Sequence, residues 1–262
     1  MNPKKKFGQN FITDTNLINK IVSSAKIDNK NVIEVGPGRG ALTKELTKRA
    51  KKVIAYEIDH DLAIYLDEIQ KEFNNLEIIY DDFLKSEITS DEKWELIGNL
   101  PYYITTPILF NFLENNIYSS ATIMVQKEVG DRIISPPNSK KYNALSVIVQ
   151  YLTKVEKVVN VSKKLFYPQP KVDSVVIRLE KRNNRQINTE KETKFFEFIK
   201  ASFTQKRKTL TNNLSEYYKK EKNEINIVLR ENNLNDNIRA EQLSLEDFIN
   251  LFNVIVWTLL EN

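Results

Sequence analysis

The sequence predicts an α/β protein: a Rossmann-like, mostly parallel sheet followed by a small helical domain. Three observations carry this. Between residues 31 and 160, short apolar runs alternate with helical patterns, as a parallel sheet covered on both faces requires. A glycine-rich turn, Gly36-Pro37-Gly38-Arg39-Gly40, directly follows the first of those runs. From Thr193 onward only helical spacing is found.

The elements follow in order. Asn31-Val32-Ile33-Glu34-Val35 reads as a buried strand ending at the glycine turn, and Leu42 and Leu46 give the next helix its apolar face. Lys52 to Glu57 is a second strand, with Leu62, Leu66 and Ile69 on one side of the helix after it. Leu76 to Tyr80, Trp94 to Ile97 and Ala121 to Val125 read as three more strands. Glu156 to Val161 and Val172 to Leu179, joined through Pro168 and Pro170, fit an antiparallel pair at the sheet edge. Arg182 to Glu192 is polar and without period, so it reads as a linker between domains at 1–182 and 190–262. In the second, Phe195, Phe198, Ile199 and Phe203, then Ile225, Val228 and Leu229, then Phe248, Leu251, Phe252 and Ile255 repeat at helical spacing.

Composition narrows the chemistry. At 262 residues and 41% hydrophobic, the chain can build a sizeable core. Having no cysteine, it has no thiolate nucleophile, zinc–cysteine site or iron–sulfur cluster. Its one histidine, His60, rules against a multi-histidine metal site or a Ser-His-Asp triad, and no metal is expected. His60 is expected to be a solvated residue opening a helix after Asp59. The longest apolar run, near Val254 to Leu260, falls short of the ~20 residues that span a membrane. Polar residues after the basic start argue against a secretion signal, so a cytoplasmic protein is expected. The net charge of +4 is modest, but Lys4-Lys5-Lys6, Lys163-Lys164, Lys181-Arg182 and Lys206-Arg207-Lys208 cluster it, which suits a polyanionic partner.

The glycine turn points to a nucleotide-type ligand. Gly36 and Gly38 sit where a strand meets a helix, and glycine there lets the backbone approach a ligand closely. Glu57 ends the next strand, where a carboxylate accepts hydrogen bonds from both hydroxyls of a ribose. Asp82 follows the third strand, placed to meet an adenine amine. Two ligand classes remain open on the glycines alone. Gly36-x-Gly38-x-x-Ala41 suggests a dinucleotide, and Glu34-x-Gly36-x-Gly38-x-Gly40 suggests the methyltransferase version, which holds the methionine end of S-adenosylmethionine.

Asn99-Leu100-Pro101-Tyr102 follows the fourth strand, at the carboxyl edge where open α/β sheets bind ligands. Its chemistry suits an exocyclic amine. The N6 nitrogen of adenine is a poor nucleophile because its lone pair is delocalised into the ring. Two acceptors on the amine hydrogens, the Asn99 side-chain oxygen and the Leu100 carbonyl, favour a pyramidal nitrogen with its lone pair aimed at the methyl group. Pro101 fixes the turn, and the Tyr102 ring offers a stacking face worth ~1–3 kcal/mol per base.

With Phe7-Gly8-Gln9-Asn10-Phe11, Val35-Gly36-Pro37-Gly38 and Phe166-Tyr167-Pro168-Gln169-Pro170-Lys171-Val172-Asp173-Ser174, these residues resemble the KsgA family of small-subunit rRNA adenine dimethyltransferases. The resemblance continues through Phe203 to Leu210 and Arg239 to Ser244, covering almost the whole chain. It implies a class I methyltransferase sheet and S-adenosylmethionine as cofactor, contacted by Asn10, Ile12, Gly36, Glu57, Asp82 and Asn99. It implies that Phe166 sandwiches the target adenine against Tyr102, in the manner of enzymes that extrude a base. The implied partner is small-subunit rRNA within an immature 30S particle. The Lys206-Arg207-Lys208 run, without adjacent acids and after the helical Phe195 to Phe203 stretch, is expected to contact RNA phosphates. The related Erm enzymes modify large-subunit rRNA. They tend to carry Ile where this chain has Leu100 and Asn where it has Asp173, so both residues lean to the small-subunit family. A ribosome-assembly checkpoint acting mainly by binding is the alternative from another class.

Overall fold

Every residue of β2 (Asn31–Val35) is buried, as expected of a strand covered on both faces. In the computed structural model, which describes residues 3, 4 and 7–255, β2 sits near the middle of a seven-stranded sheet. It pairs in parallel with β3 (Lys52–Tyr56) on one side and with β5 (Trp94–Asn99) on the other. The parallel ladder runs on through β4 (Leu76–Ile79) and β6 (Tyr118–Gln126). β9 (Ser174–Lys181) pairs antiparallel with β6, and β7 (Thr153–Val161) forms the edge beyond it. The order is therefore β4-β3-β2-β5-β6-β9-β7. The chain winds outward from β2 in one direction and resumes at β5 in the other, which leaves a crevice at the carboxyl ends of these two strands.

The predicted strands and helix faces are present. Leu42 and Leu46 are buried in α2 (Ala41–Thr47), and Leu66 and Ile69 in α3 (Ala63–Glu72). His60 is exposed, opens a 3-10 turn capped by Asp59, and stacks on Tyr80 with ring centroids 5.7 Å apart. Two elements are not among those expected from the sequence, although the first has helical spacing. One is α1 (Thr15–Ala25), where the Asp14 carboxylate caps Leu17 N–H at 2.7 Å and Leu17, Ile18, Ile21 and Val22 are buried. The other is a separate two-stranded ladder in which β1 (Phe11–Ile12) pairs antiparallel with β8 (Phe166–Tyr167).

The chain forms two compact units. The first comprises residues up to Gly130 together with Lys154–Lys181, and holds the sheet. The second comprises Asp131–Thr153 and the described residues from Arg182 on. The structure thus draws the division differently from the boundary read at residues 182–190, since 131–153 joins the helices. Packing gives the reason. Tyr151 of α6 (Ala144–Leu152) lies 5.0 Å, centroid to centroid, from Phe195 of α7 (Glu192–Ser202), and its hydroxyl donates to Glu192 at 2.9 Å. Phe195 and Phe198 meet Phe252 of α10 (Leu245–Ile255) at 5.1 and 5.9 Å. Each such aromatic contact adds ~0.5–1.5 kcal/mol beyond the burial of its area. Among the described residues, no helix is long and apolar enough to cross a membrane; most of the Val254 to Leu260 run, like Lys5 and Lys6, lies outside them.

Candidate active site

The carboxyl ends of β2, β3, β4 and β5 open into one cavity of about 380 Å³ in the first unit, a volume within the range of small-molecule sites. The sequence-predicted residues Asn10, Ile12, Gly36, Gly38, Glu57, Asp82, Asn99, Leu100, Tyr102 and Phe166 all line it.

Glycines shape the cavity floor. Gly36 and Gly38 have φ of 71° and 62°, a left-handed conformation that side chains disfavour. A Cβ on Gly38 would lie 3.0 Å from the Phe11 ring, so this glycine lets the N-terminal segment lie against the turn. Gly98 serves differently: a Cβ there would stand 2.7 Å from the Val35 carbonyl oxygen, and its absence lets the strand leading into Asn99 pass close to β2.

The Glu57 carboxylate is buried at the end of β3 and accepts Gly38 N–H at 3.1 Å and Asp59 N–H at 2.9 Å. Burial pushes its pKa up, and those backbone donors pull it back. Asp82 caps a 3-10 turn, one oxygen accepting Leu84 N–H at 3.0 Å. Glu34, behind the turn, is fully buried with no hydrogen bond to either carboxyl oxygen among the described residues. Burial pushes its pKa up to about 8, with the neighbouring Thr43 hydroxyl pulling the other way.

At the other wall, the Asn99 Nδ2 donates to the Asn10 carbonyl at 2.8 Å. With the nitrogen committed, Oδ1 is the end of the amide available as an acceptor. Leu100 N–H is tied to the Met124 carbonyl at 3.2 Å, which anchors the tetrapeptide to β6. Tyr102 is half-buried, its hydroxyl paired with Ser174 at 2.9 Å. Phe166 is only 5% exposed and also belongs to the hydrophobic core. It is held in β8 opposite Ile12, so its packing role and its place in the cavity wall coincide.

Three features escaped the sequence reading. Asp59 is buried and receives Lys4 Nζ at 2.6 Å and Gln9 Nε2 at 2.7 Å. Arg39 lies over the Phe11 ring at 4.6 Å. Tyr103 and Tyr167 line the same cavity with 58% of each exposed. A second acid two residues after Glu57 was the available signal for Asp59, because alternate residues of an extended segment share a face.

The predicted RNA contacts lie in the second unit. Lys206, Arg207 and Lys208 are exposed in the turn between α7 and α8 (Leu210–Tyr218). Lys206 Nζ donates to the Lys140 carbonyl at 2.6 Å and Lys208 pairs with Glu216 at 2.9 Å. The run has no acid beside it in sequence, but it has one in space.

A profile of the family described as ribosomal RNA adenine dimethylase matches residues 1–256. The chain belongs to that family. Curated members include "Ribosomal RNA small subunit methyltransferase A" of onion yellows phytoplasma, 51% identical over 253 residues, covering 94% of this chain and 93% of the relative. A Bacillus cereus protein of the same name is 46% identical over 266 residues, covering 97% and 91%. Among solved structures, a dimethyladenosine transferase from Plasmodium falciparum superposes with a TM-score of 0.81 at 26% identity, covering 94% of this chain and 97% of that one. The 23S rRNA methyltransferase ErmE gives 0.78 at 29%, covering 93% and 98%. The sheet is therefore the class I methyltransferase sheet of the rRNA adenine dimethylases, and the dinucleotide reading of the glycine turn falls away.

Proposed function

We propose that this rRNA adenine dimethylase transfers methyl groups from S-adenosylmethionine to N6 of two adjacent adenosines near the 3′ end of small-subunit rRNA, acting on the immature 30S particle in the cytoplasm. One observation carries most of this reading: Asn99, fixed through Nδ2 on the Asn10 carbonyl, shares a cavity with a buried carboxylate and two aromatic rings.

The residues fit the cofactor. Glu57 spends one acceptor position of each oxygen on the backbone and keeps others for ribose hydroxyls. Gly36, Gly38 and Ile12 give a close, largely apolar approach, with Asp82 at the far side for an adenine amine. S-adenosylmethionine supplies an electrophilic methyl on a sulfonium. The chain does the rest by positioning. Tyr102 and Phe166 hold the flat base, and Asn99 Oδ1 with the Leu100 carbonyl accepts the two amine hydrogens. Those bonds strengthen as positive charge develops on the nitrogen, which is the condition for lowering a barrier. After attack the cationic nitrogen gives its proton to water, so neither a thiol nor an imidazole is required.

The small-subunit target rests on the relatives at 46–51% identity that bear that name, against 29% for the large-subunit enzyme. Incubating the chain with labelled S-adenosylmethionine tests it. Label is expected in immature small subunits and absent from large-subunit RNA; the reverse pattern overturns the assignment.

The basic turn gives a second test. Replacing Lys206, Arg207 and Lys208 with Ala together is expected to weaken particle binding and flatten its salt dependence by about 1 log–log unit per lost phosphate contact. Cofactor affinity of the free enzyme stays unchanged. A triple variant with normal melting and the wild-type salt slope removes this turn from the RNA interface.

A further inference from the structure

We infer that Asp59 is a positioning residue for the transfer: it anchors the N-terminal segment whose Asn10 carbonyl orients the Asn99 amide. The inference rests on the reading above. Its substance is one continuous path of hydrogen bonds and covalent chain between the two halves of the cavity.

The path starts at Glu57, whose Oε1 accepts Asp59 N–H at 2.9 Å. The Asp59 carboxylate, 2% exposed as a residue, then binds three donors. Oδ1 takes Lys4 Nζ at 2.6 Å and Asp61 N–H at 3.3 Å, and Oδ2 takes Gln9 Nε2 at 2.7 Å. Lys4 N–H closes the loop on Gln9 Oε1 at 2.7 Å, and Lys4 Nζ also pairs with Asp61. Burial alone would raise the Asp59 pKa, but the Lys4 and Gln9 hydrogen bonds outweigh it and hold it below the ordinary value. Asn10 follows Gln9 directly and accepts the Asn99 amide at 2.8 Å. Phe11 and Ile12 then pair with β8, the strand carrying Phe166.

An amide has two ends of similar shape, and only the oxygen end accepts the amine hydrogens. The Asn10 carbonyl distinguishes them, because it accepts Nδ2 and repels Oδ1. That discrimination works only while Asn10 is held in place. Gly8, with φ of 60°, lets the chain turn there, so that Gln9 lies on Asp59 while Asn10 lies on Asn99. A fixed geometry at the reacting atom is worth large factors in rate, and displacement of about 1 Å can cost on the order of a hundredfold.

The test uses the full chain, S-adenosylmethionine and immature small subunits, with wild type alongside. Asp59→Asn keeps the size and removes the charge. Gln9→Met removes one donor from the exchange and leaves Asp59 in place, which guards against a variant that fails to fold. Each is expected to lower kcat at saturating cofactor and particle by about tenfold or more, with melting within a few degrees of wild type. The double variant Asp59→Asn with Gln9→Glu reverses donor and acceptor across the same contact and is expected to recover much of the rate. A wild-type kcat in either single variant overturns the inference, as does a loss confined to the cofactor KM. An inactive wild-type chain instead contradicts the proposed function.

Discussion

Asn99→Ala is expected to abolish methyl transfer while RNA and cofactor binding stay near normal. In the proposed reaction the side chain contributes an acceptor for one amine hydrogen, and its nitrogen is bonded to the Asn10 carbonyl. Removing one preorganised group of this kind costs about 3 kcal/mol or more of transition-state stabilisation, over a hundredfold in rate. Asn99 is partly buried at the end of β5, and Ala leaves the strand ladder to β6 intact, so melting is expected to move little. Single-turnover rates with preformed enzyme–particle complex separate chemistry from binding. A variant keeping more than about a tenth of wild-type turnover removes Asn99 from the mechanism. Asn99→Asp makes a sharper companion: it keeps an acceptor but places a second oxygen against the Asn10 carbonyl, so its defect reports the cost of losing the Nδ2 contact.

The second large effect is on the cofactor. On the proposed assignment, Glu57→Ala removes a charged acceptor from two ribose hydroxyls, at about 1.5–3 kcal/mol for each charge-assisted bond. Together these predict a loss of roughly a hundredfold or more in affinity by calorimetry. The substitution also strips Gly38 and Asp59 N–H of their partner, so a fall in melting temperature accompanies it. Glu57→Gln keeps the shape but has one acceptor oxygen, so it can bond only one of the Gly38 and Asp59 N–H groups: stability is recovered in part relative to Glu57→Ala, and affinity stays reduced. Because burial raises the Glu57 pKa, acidification protonates it earlier than an exposed glutamate. Wild-type affinity therefore declines as pH falls through that raised value, and the decline is absent in Glu57→Gln. Unchanged cofactor affinity in Glu57→Ala contradicts the assignment.

Much of this site was legible because its residues sit at strand ends, and strand ends are set by patterning. The apolar runs into Val35, Tyr56 and Ile97 locate Gly36, Glu57 and Asn99 in one row once the sheet is parallel. Other parts were not legible for physical reasons. The two-residue strands β1 and β8 are too short to carry a period, so the contact bringing Ile12 opposite Phe166 left no trace in spacing. Helix α6 is buried around most of its circumference, and such a run does not distinguish helix from strand. Its membership in the second unit depends on Tyr151 meeting Phe195 and Glu192, over forty residues away. Asp59 looks like a surface acid until Lys4 and Gln9 fold back onto it from fifty residues upstream. Lys208 looks unpaired until α8 returns Glu216 to its side.

The central claim is that this cavity methylates an adenine amine, and does so twice. The most direct measurement is to digest RNA from treated immature small subunits to nucleosides and identify the labelled product by mass. N6,N6-dimethyladenosine, arising at two adjacent positions near the 3′ end and absent with Asn99→Ala, is the predicted result. Label on another base, on the ribose, or on an adenine outside the small-subunit RNA would contradict the account.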